Sequence, residues 1–431
     1  MGMPDLRDCA QGAVHLVSRG VGDRAMIDDA FMTRADFWAD PYAYLEPLRG
    51  RGRTSWNEFA RAWFVTGHAD VMEALKHESL GNNRLSPVFE AMEPSRRSDL
   101  GRLESTLAHT VTVLGGDAHE RVRHTFEPAL FPHSVEPLRE RLHDVCAVLV
   151  ENARVKGVID AINDLAVIAS HHAVSSALGF PAEVRARTRG IADTIRLAFD
   201  VPVGDFDGFL QAQQASLELF TILHEAVDEV SPEQLHDDLA NVVKNWRANV
   251  ISDVEFNATL LDLILGDHEN TSNVIGNGLI HFQSHPDQWE RLRDDRSLLP
   301  GAVEELLRMG PSSLWLMRIV NESCEIAGRP FDAGDSLLCV QGTANRDPEV
   351  FERAGEFDIT RSPSAPHLTF SEGRHVCPGQ ALARVIIESV LSALLDVGDI
   401  RIIDSSIRWK RWHRWHGPAS LQVRLGKPMT A

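Results

Sequence analysis

F-S-E-G-R-H-V-C-P-G-Q, residues 370–380, is the stretch on which the reading of this chain turns. Cys377 stands at the entry to a helical pattern, after a loop with Gly373 and before Pro378 and Gly379. Helix N-terminal amides and the positive end of the helix dipole favour an anion there and lower a thiol pKa. A thiolate so placed can ligate a haem iron and push electron density towards bound dioxygen. Taken alone, Cys377 reads as a small buried residue, as most free cysteines are. Its flanks reverse that reading.

Working outward, apolar spacing predicts a helix over 379–397. Upstream, C-E-I-A-G-R-P-F and S-L-L-C-V read as short strands separated by a D-A-G-D turn. A helix over Leu299–Met309 stops before Gly310-Pro311. From His119 to about Glu290 the pattern is mainly helical, with one continuous helix expected over 254–285. Residues 81–115 are polar, contain Pro and Ser, and read as a long loop. R-A-W-F-V-T-G-H closes a small hairpin, and a helix starts near Pro41. Residues 1–30 are expected to be a flexible extension, leaving 31–431 as one domain. The fold class is mainly α with small β-sheets at its edges, an α+β layout.

The 431 residues carry a formal net charge of −19, from 43 Lys+Arg against 62 Asp+Glu. An acidic surface argues against sequence-independent binding to nucleic acid or to an anionic membrane. Cys9, Cys146, Cys324, Cys339 and Cys377 are odd in number and never form a C-x-x-C pair. That excludes a disulfide framework and a zinc site and fits a reducing cytoplasm. Neither an export signal nor a membrane span is expected, because the stretch 12–21 is broken by His15, Ser18 and Arg19.

Residues 370–379 resemble the haem-binding signature of the cytochrome P450 superfamily, F-x-x-G-x-H-x-C-x-G. Three more motifs resemble that family, in its order. Glu305 and Arg308 match its E-x-x-R, His119 to Arg123 its H-x-x-x-R, and A-N-R-D-P, 344–348, is typical of soluble bacterial members. The resemblance covers about 36–425 and implies a triangular helical prism around a buried haem b, iron protoporphyrin IX. By the same resemblance, Cys377 is the axial iron ligand. His119, Arg123, Arg318 and His375 bind the propionates. Phe370 packs on the thiolate side, and Gly379 and Gly266 lie against the cofactor. His119 and Arg123, at i and i+4, share one helix face.

Several positions depart from the family's pattern. The expected A/G-G-x-E/D-T-T reads G-D-H-E-N-T, residues 266–271. Glu269 matches the acid, Asn270 stands where an oxygen-handling Thr is expected, Asp267 replaces a Gly, and Thr271 follows. Asn can still donate and accept hydrogen bonds. Asn270 either takes over the role, is assisted by a substrate hydroxyl, marks other chemistry such as oxidative coupling, dehydration or nitrogen-centred reactions, or only restrains a helix bulge. Pro378 has no N–H, so one amide-to-sulfur hydrogen bond is lacking and a lower iron potential is expected. Glu356 occupies a position where the family has an Arg, leaving Arg353 or Arg361 to complete the Glu–Arg–Arg cluster.

For substrate, the resemblance points to 103–113, 196–209, 263–270 and 312–316, including Leu314, Trp315 and Leu316, and to a hairpin tip at Trp412 and His413. Strand alternation through W-K-R-W-H-R-W-H would put Trp409 and His416 on opposite faces, with most Trp packed and the basic residues exposed. The expected function is a haem-thiolate monooxygenase acting on a small organic molecule of bacterial secondary metabolism. Electrons would come from a separate ferredoxin and ferredoxin reductase, since no flavin or iron–sulfur motif is fused to the chain. The rivals are atypical haem chemistry on the same fold and a catalytically silent haem protein that holds partners.

Overall fold

The computed structural model describes residues 29–177, 179, 182–197, 206–229, 237–266, 269–362, 366–403, 405, 407–410 and 414–426. Asp267, Trp412, His413 and nearly all of the expected N-terminal extension lie outside the described residues. Helices dominate, and the sheets lie at the edges, as expected from the sequence pattern. No helix among the described residues is long and apolar enough to cross a membrane.

The largest apolar core is made where helices meet, with Leu142, Cys146, Phe256, Ile275, Leu306, Val390 and Leu394 all buried in it. Helix Gln380–Val397, which follows Cys377, runs through this core. Leu394 is fully buried, and truncating such a side chain to Ala costs about 2–5 kcal/mol. The helix behind the cysteine is thus rigidly seated. A second core lies under a five-stranded sheet ordered Thr54–Asn57, Ala62–Val65, Ser336–Cys339, Leu316–Val320, Leu80–Gly81. Within it Arg318 stands opposite Leu337 on antiparallel strands, which fixes the origin of its side chain.

Two expectations fail. The polar stretch before residue 115 is not a loop but carries helices Ser86–Glu90, Pro94–Asp99 and Gly101–Ala108. Pro87 and Pro94 sit in first turns, where a missing N–H costs nothing, so prolines read as loop signals instead start helices. The expected continuous helix over 254–285 is two, Asp253–Leu265 and Glu269–Ser284. Ser252 and Glu255 form a capping box that starts the first. Gly266 caps its end, where low helix propensity removes the drive to continue.

Candidate active site

The loop before helix Gln380–Val397 is shaped by its own backbone. The Cys377 amide donates to the Phe370 carbonyl at 2.8 Å and the Val376 amide to the Gly373 carbonyl at 3.1 Å. Gly373 has φ +72, and a Cβ there would stand 3.0 Å from the Leu75 carbonyl oxygen. Only glycine meets both demands. The Gly379 amide is turned toward the Cys377 sulfur and pulls the thiol pKa down, which Pro378, without an N–H, cannot do.

The arginine and histidine side chains named from the sequence converge on this loop. The rings of His119 and His375 meet edge to face with centroids 4.5 Å apart. Arg123 donates to the carbonyls of Arg374 (3.1 Å) and Val376 (2.8 Å) and pairs with Glu127 at 2.7 Å. Arg318, only 4% exposed, donates to the Met317 carbonyl at 3.1 Å and to Ser371 Oγ at 3.5 Å. Among the described residues Arg318 has no acidic partner. Burial, then Arg123 and Arg374, lower the His119 pKa to about 4. Burial, then His119 and Arg318, lower that of His375 to about 3. Burial also pulls Arg318 below its usual value.

Sequence reasoning gave Cys377 a lowered pKa; the structure corrects this. Burial pushes the thiol up, outweighing the opposing pull of the Gly379 amide, Arg123 and Arg384. A bound metal ion, whose charge deprotonates a coordinating thiol, would reverse the balance. Behind the loop, Glu305 and Arg308 form the expected ion pair at 2.7 Å. Arg361, 3.2 Å from Glu305, completes the cluster that Glu356 leaves open. The Glu356 carbonyl still serves, accepting from Arg308 at 2.9 Å and Arg361 at 3.0 Å.

On helix Glu269–Ser284, Asn270 alone among residues 269–279 is exposed, and Gly266, four positions earlier, is exposed too. Glu269 and Thr271 are buried at 4% and 7%. Leu314 and Trp315 lie in an aromatic core with Phe31, Phe37 and Phe64, the Trp315 ring 6.4 Å from Phe37 and 6.5 Å from Phe64. Leu316 is half-buried at the start of its strand.

The C-terminal stretch departs from simple alternation. The pairing Arg408–Trp409 with Pro418–Ser420 has a register shift, and Trp409 stacks on His416 at 4.8 Å. Lys410, read as exposed, is half-buried and donates to Glu269 Oε1 at 2.5 Å and to Asn273 Oδ1 at 2.9 Å. Nothing in the spacing pointed to this contact. Asp262 was also missed; it accepts from the Val111 amide at 2.6 Å, and burial raises its pKa to about 7.

A half-buried cysteine loop in a helix-rich body, flanked by a buried arginine without an acid to match it, defines a class of protein that holds an anionic prosthetic group against a cysteine. The family model described as Cytochrome P450 matches residues 211–397. Cytochrome P450 monooxygenase PikC of Streptomyces venezuelae is 32% identical over 369 residues, 84% of each chain. The crystal structure of CalO2 superposes with a TM-score of 0.83 at 25% identity, covering 91% of this chain and 98% of that one. The solved structure of CxnD, a cytochrome P450 enzyme for C–S bond formation in chuangxinmycin biosynthesis, gives 0.78 at 26% identity, covering 92% and 98%.

The chain belongs to the cytochrome P450 family. It is an oxidoreductase of the monooxygenase type, and its family carries a haem-thiolate cofactor. The residues fit that group: His119 Nδ1 is buried with no hydrogen-bond partner, and Arg318 lacks the anion its burial calls for.

Proposed function

We propose that the chain is a haem b monooxygenase that oxidises a small organic molecule of bacterial secondary metabolism, fed by a separate ferredoxin and reductase. The observation that carries this reading is the buried Arg318 guanidinium, without an acidic partner among the described residues and aimed with His119 and His375 at the cysteine loop. Haem, when bound, would supply the activation of dioxygen.

The chain's own residues do the rest. Cys377 would hold the iron, with the Gly379 amide turned toward its sulfur. Arg318 and Arg123 would match the charge of the propionates, and His119 and His375 would add neutral N–H donors. Phe370, whose own ring lies 4.8 Å from the Arg384 guanidinium, would pack against the thiolate side of the group. Glu269, with Asp267 and Thr271, handles protons, and Asn270 offers a donor and an acceptor where oxygen is handled. Leu316, Trp412 and His413 bound the substrate end, with Leu314 and Trp315 supporting from the aromatic core.

A second reading, oxidation without oxygen insertion, is favoured by Asn270 in place of the Thr and by the C–S bond formation attributed to the similar enzyme CxnD. A reduced carbon-monoxide difference spectrum tests the ligand: a strongly red-shifted Soret band is expected, and its absence overturns thiolate ligation. Turnover under labelled dioxygen then separates the readings. Label in the product supports monooxygenation, and unlabelled oxidised product supports the second reading.

A further inference from the structure

The C-terminal hairpin and helix Glu269–Ser284 meet along three helical turns. Lys410 reaches Glu269 and Asn273, and Asn273 donates to Ser312 Oγ at 3.0 Å. One turn on, Asn277 donates to the carbonyls of His416 (3.0 Å) and Gly310 (3.3 Å). Between them the backbones nearly touch: a Cβ on Gly417 would overlap Asn273, and one on Gly276 would overlap Pro418 and Ile162. The hairpin is therefore seated on the helix, not draped over it. Lys410 is its contact with the helix's first residue.

Burial sets the importance of that contact. The Glu269 and Lys410 side chains are 5% and 10% exposed. A carboxylate this buried needs a counter-charge, because water no longer solvates it. The ammonium is a compact charge with three donors, and its second bond, to Asn273 Oδ1, fixes it beside the acid.

We infer that Lys410 is a positioning residue for the Glu269 carboxylate, setting where the acid points from its place on the C-terminal hairpin. The inference rests on the proton-handling role proposed above for Glu269. A purely structural latch would hold the hairpin without affecting proton delivery.

The test uses holoenzyme with a plant-type ferredoxin and its reductase as surrogate electron donors, and 4-phenylimidazole as the pocket probe. The rate of NADPH-driven peroxide formation is measured in water and in deuterium oxide for wild type, Lys410→Met, Lys410→Arg, Glu269→Gln and the double variant Lys410→Met/Glu269→Gln. Lys410→Met is expected to slow the reaction about tenfold and enlarge the solvent isotope effect. Lys410→Arg should restore most of the rate, and the double variant should be no worse than Glu269→Gln. Affinity for 4-phenylimidazole should stay within about twofold of wild type, showing an intact pocket. If Glu269→Gln enlarges the isotope effect while Lys410→Met leaves it unchanged, the inference about Lys410 is overturned and the role of Glu269 stands. If Glu269→Gln itself changes nothing, the role of Glu269 fails and takes the inference with it. Should Lys410→Met not yield holoenzyme, Lys410→Gln replaces it, with the same outcomes expected.

Discussion

The Cys377 loop and the Glu269 end of the central helix are held by different kinds of bond. Around Cys377 the loop's shape is set by local backbone ties, Cys377 to Phe370, Val376 to Gly373 and Ser371 to Leu368, to which Arg123 adds bonds from a distant helix. At Glu269 they are side-chain ties between distant segments, with Lys410 arriving from 141 positions away. A local backbone turn demands particular residues, such as Gly373 at φ +72. A long-range side-chain contact demands only that two groups be brought together, and many residue pairs can serve. The loop side is thus a fixed frame, whereas the helix side can be altered by one or two substitutions.

If the loop side is a frame, breaking its support should have the largest effect. Arg308→Ala leaves the buried Glu305 with Arg361 as its remaining counter-charge among the described residues and abandons the carbonyls of Asn345, Ala354 and Glu356. It should cost about 3–5 kcal/mol in denaturant unfolding. A loss below about 1 kcal/mol would mean that the frame does not depend on this pair.

Arg318→Leu sharpens the contrast between frame and cofactor seat. With no acidic partner among the described residues, the buried guanidinium should weigh on the haem-free protein, so its melting temperature should hold or rise. Haem titration should nevertheless show weaker binding, by about 10–100-fold. Lowered haem-free stability with unchanged haem affinity would make Arg318 structural instead.

Asp262 ties the loop at Val111 to the first half of the central helix and brings a pH dependence. Its pKa rises from 3.8 to about 7 on folding, burial being the cause. Between those values the folded state keeps a proton that the unfolded state has released, so stability falls as pH rises through the window. Above about 7 the penalty is complete, and below 3.8 it is absent. Asp262→Asn should remove the slope and gain on the order of 4 kcal/mol relative to wild type between about pH 4 and 8. Urea midpoints at the two pH values check this; parallel curves for both proteins would refute it.

The smallest effect expected is at Pro378. Leu there adds an amide donor beside the sulfur, and a redox titration should show the iron potential of Pro378→Leu above wild type. No upward shift would mean that the Gly379 amide already satisfies the sulfur.

Much of the cysteine side was legible because its residues lie within one loop or one helical turn of each other. Cys377, Gly379, Phe370 and His375 share a single segment, His119 and Arg123 one helix face, and Glu305 and Arg308 one turn. Before residue 115 the prolines misled, since Pro at a first turn and Pro in a loop look alike along the chain. The alternation through 409–416 misled in the same way, because the register shift that lets Trp409 stack on His416 depends on the partner strand.

What the sequence by itself determined was therefore the Cys377 loop, the helix-rich layout and the family. Each is set by residue types at fixed short spacings, which backbone geometry translates directly into shape. Only the tertiary structure decided that Arg361 completes the Glu305 cluster, that the central helix breaks after Leu265, and that Lys410 meets Glu269. Those outcomes depend on where separate segments come to rest against each other. Spacing along a chain does not encode the partner of a side chain that reaches across the fold.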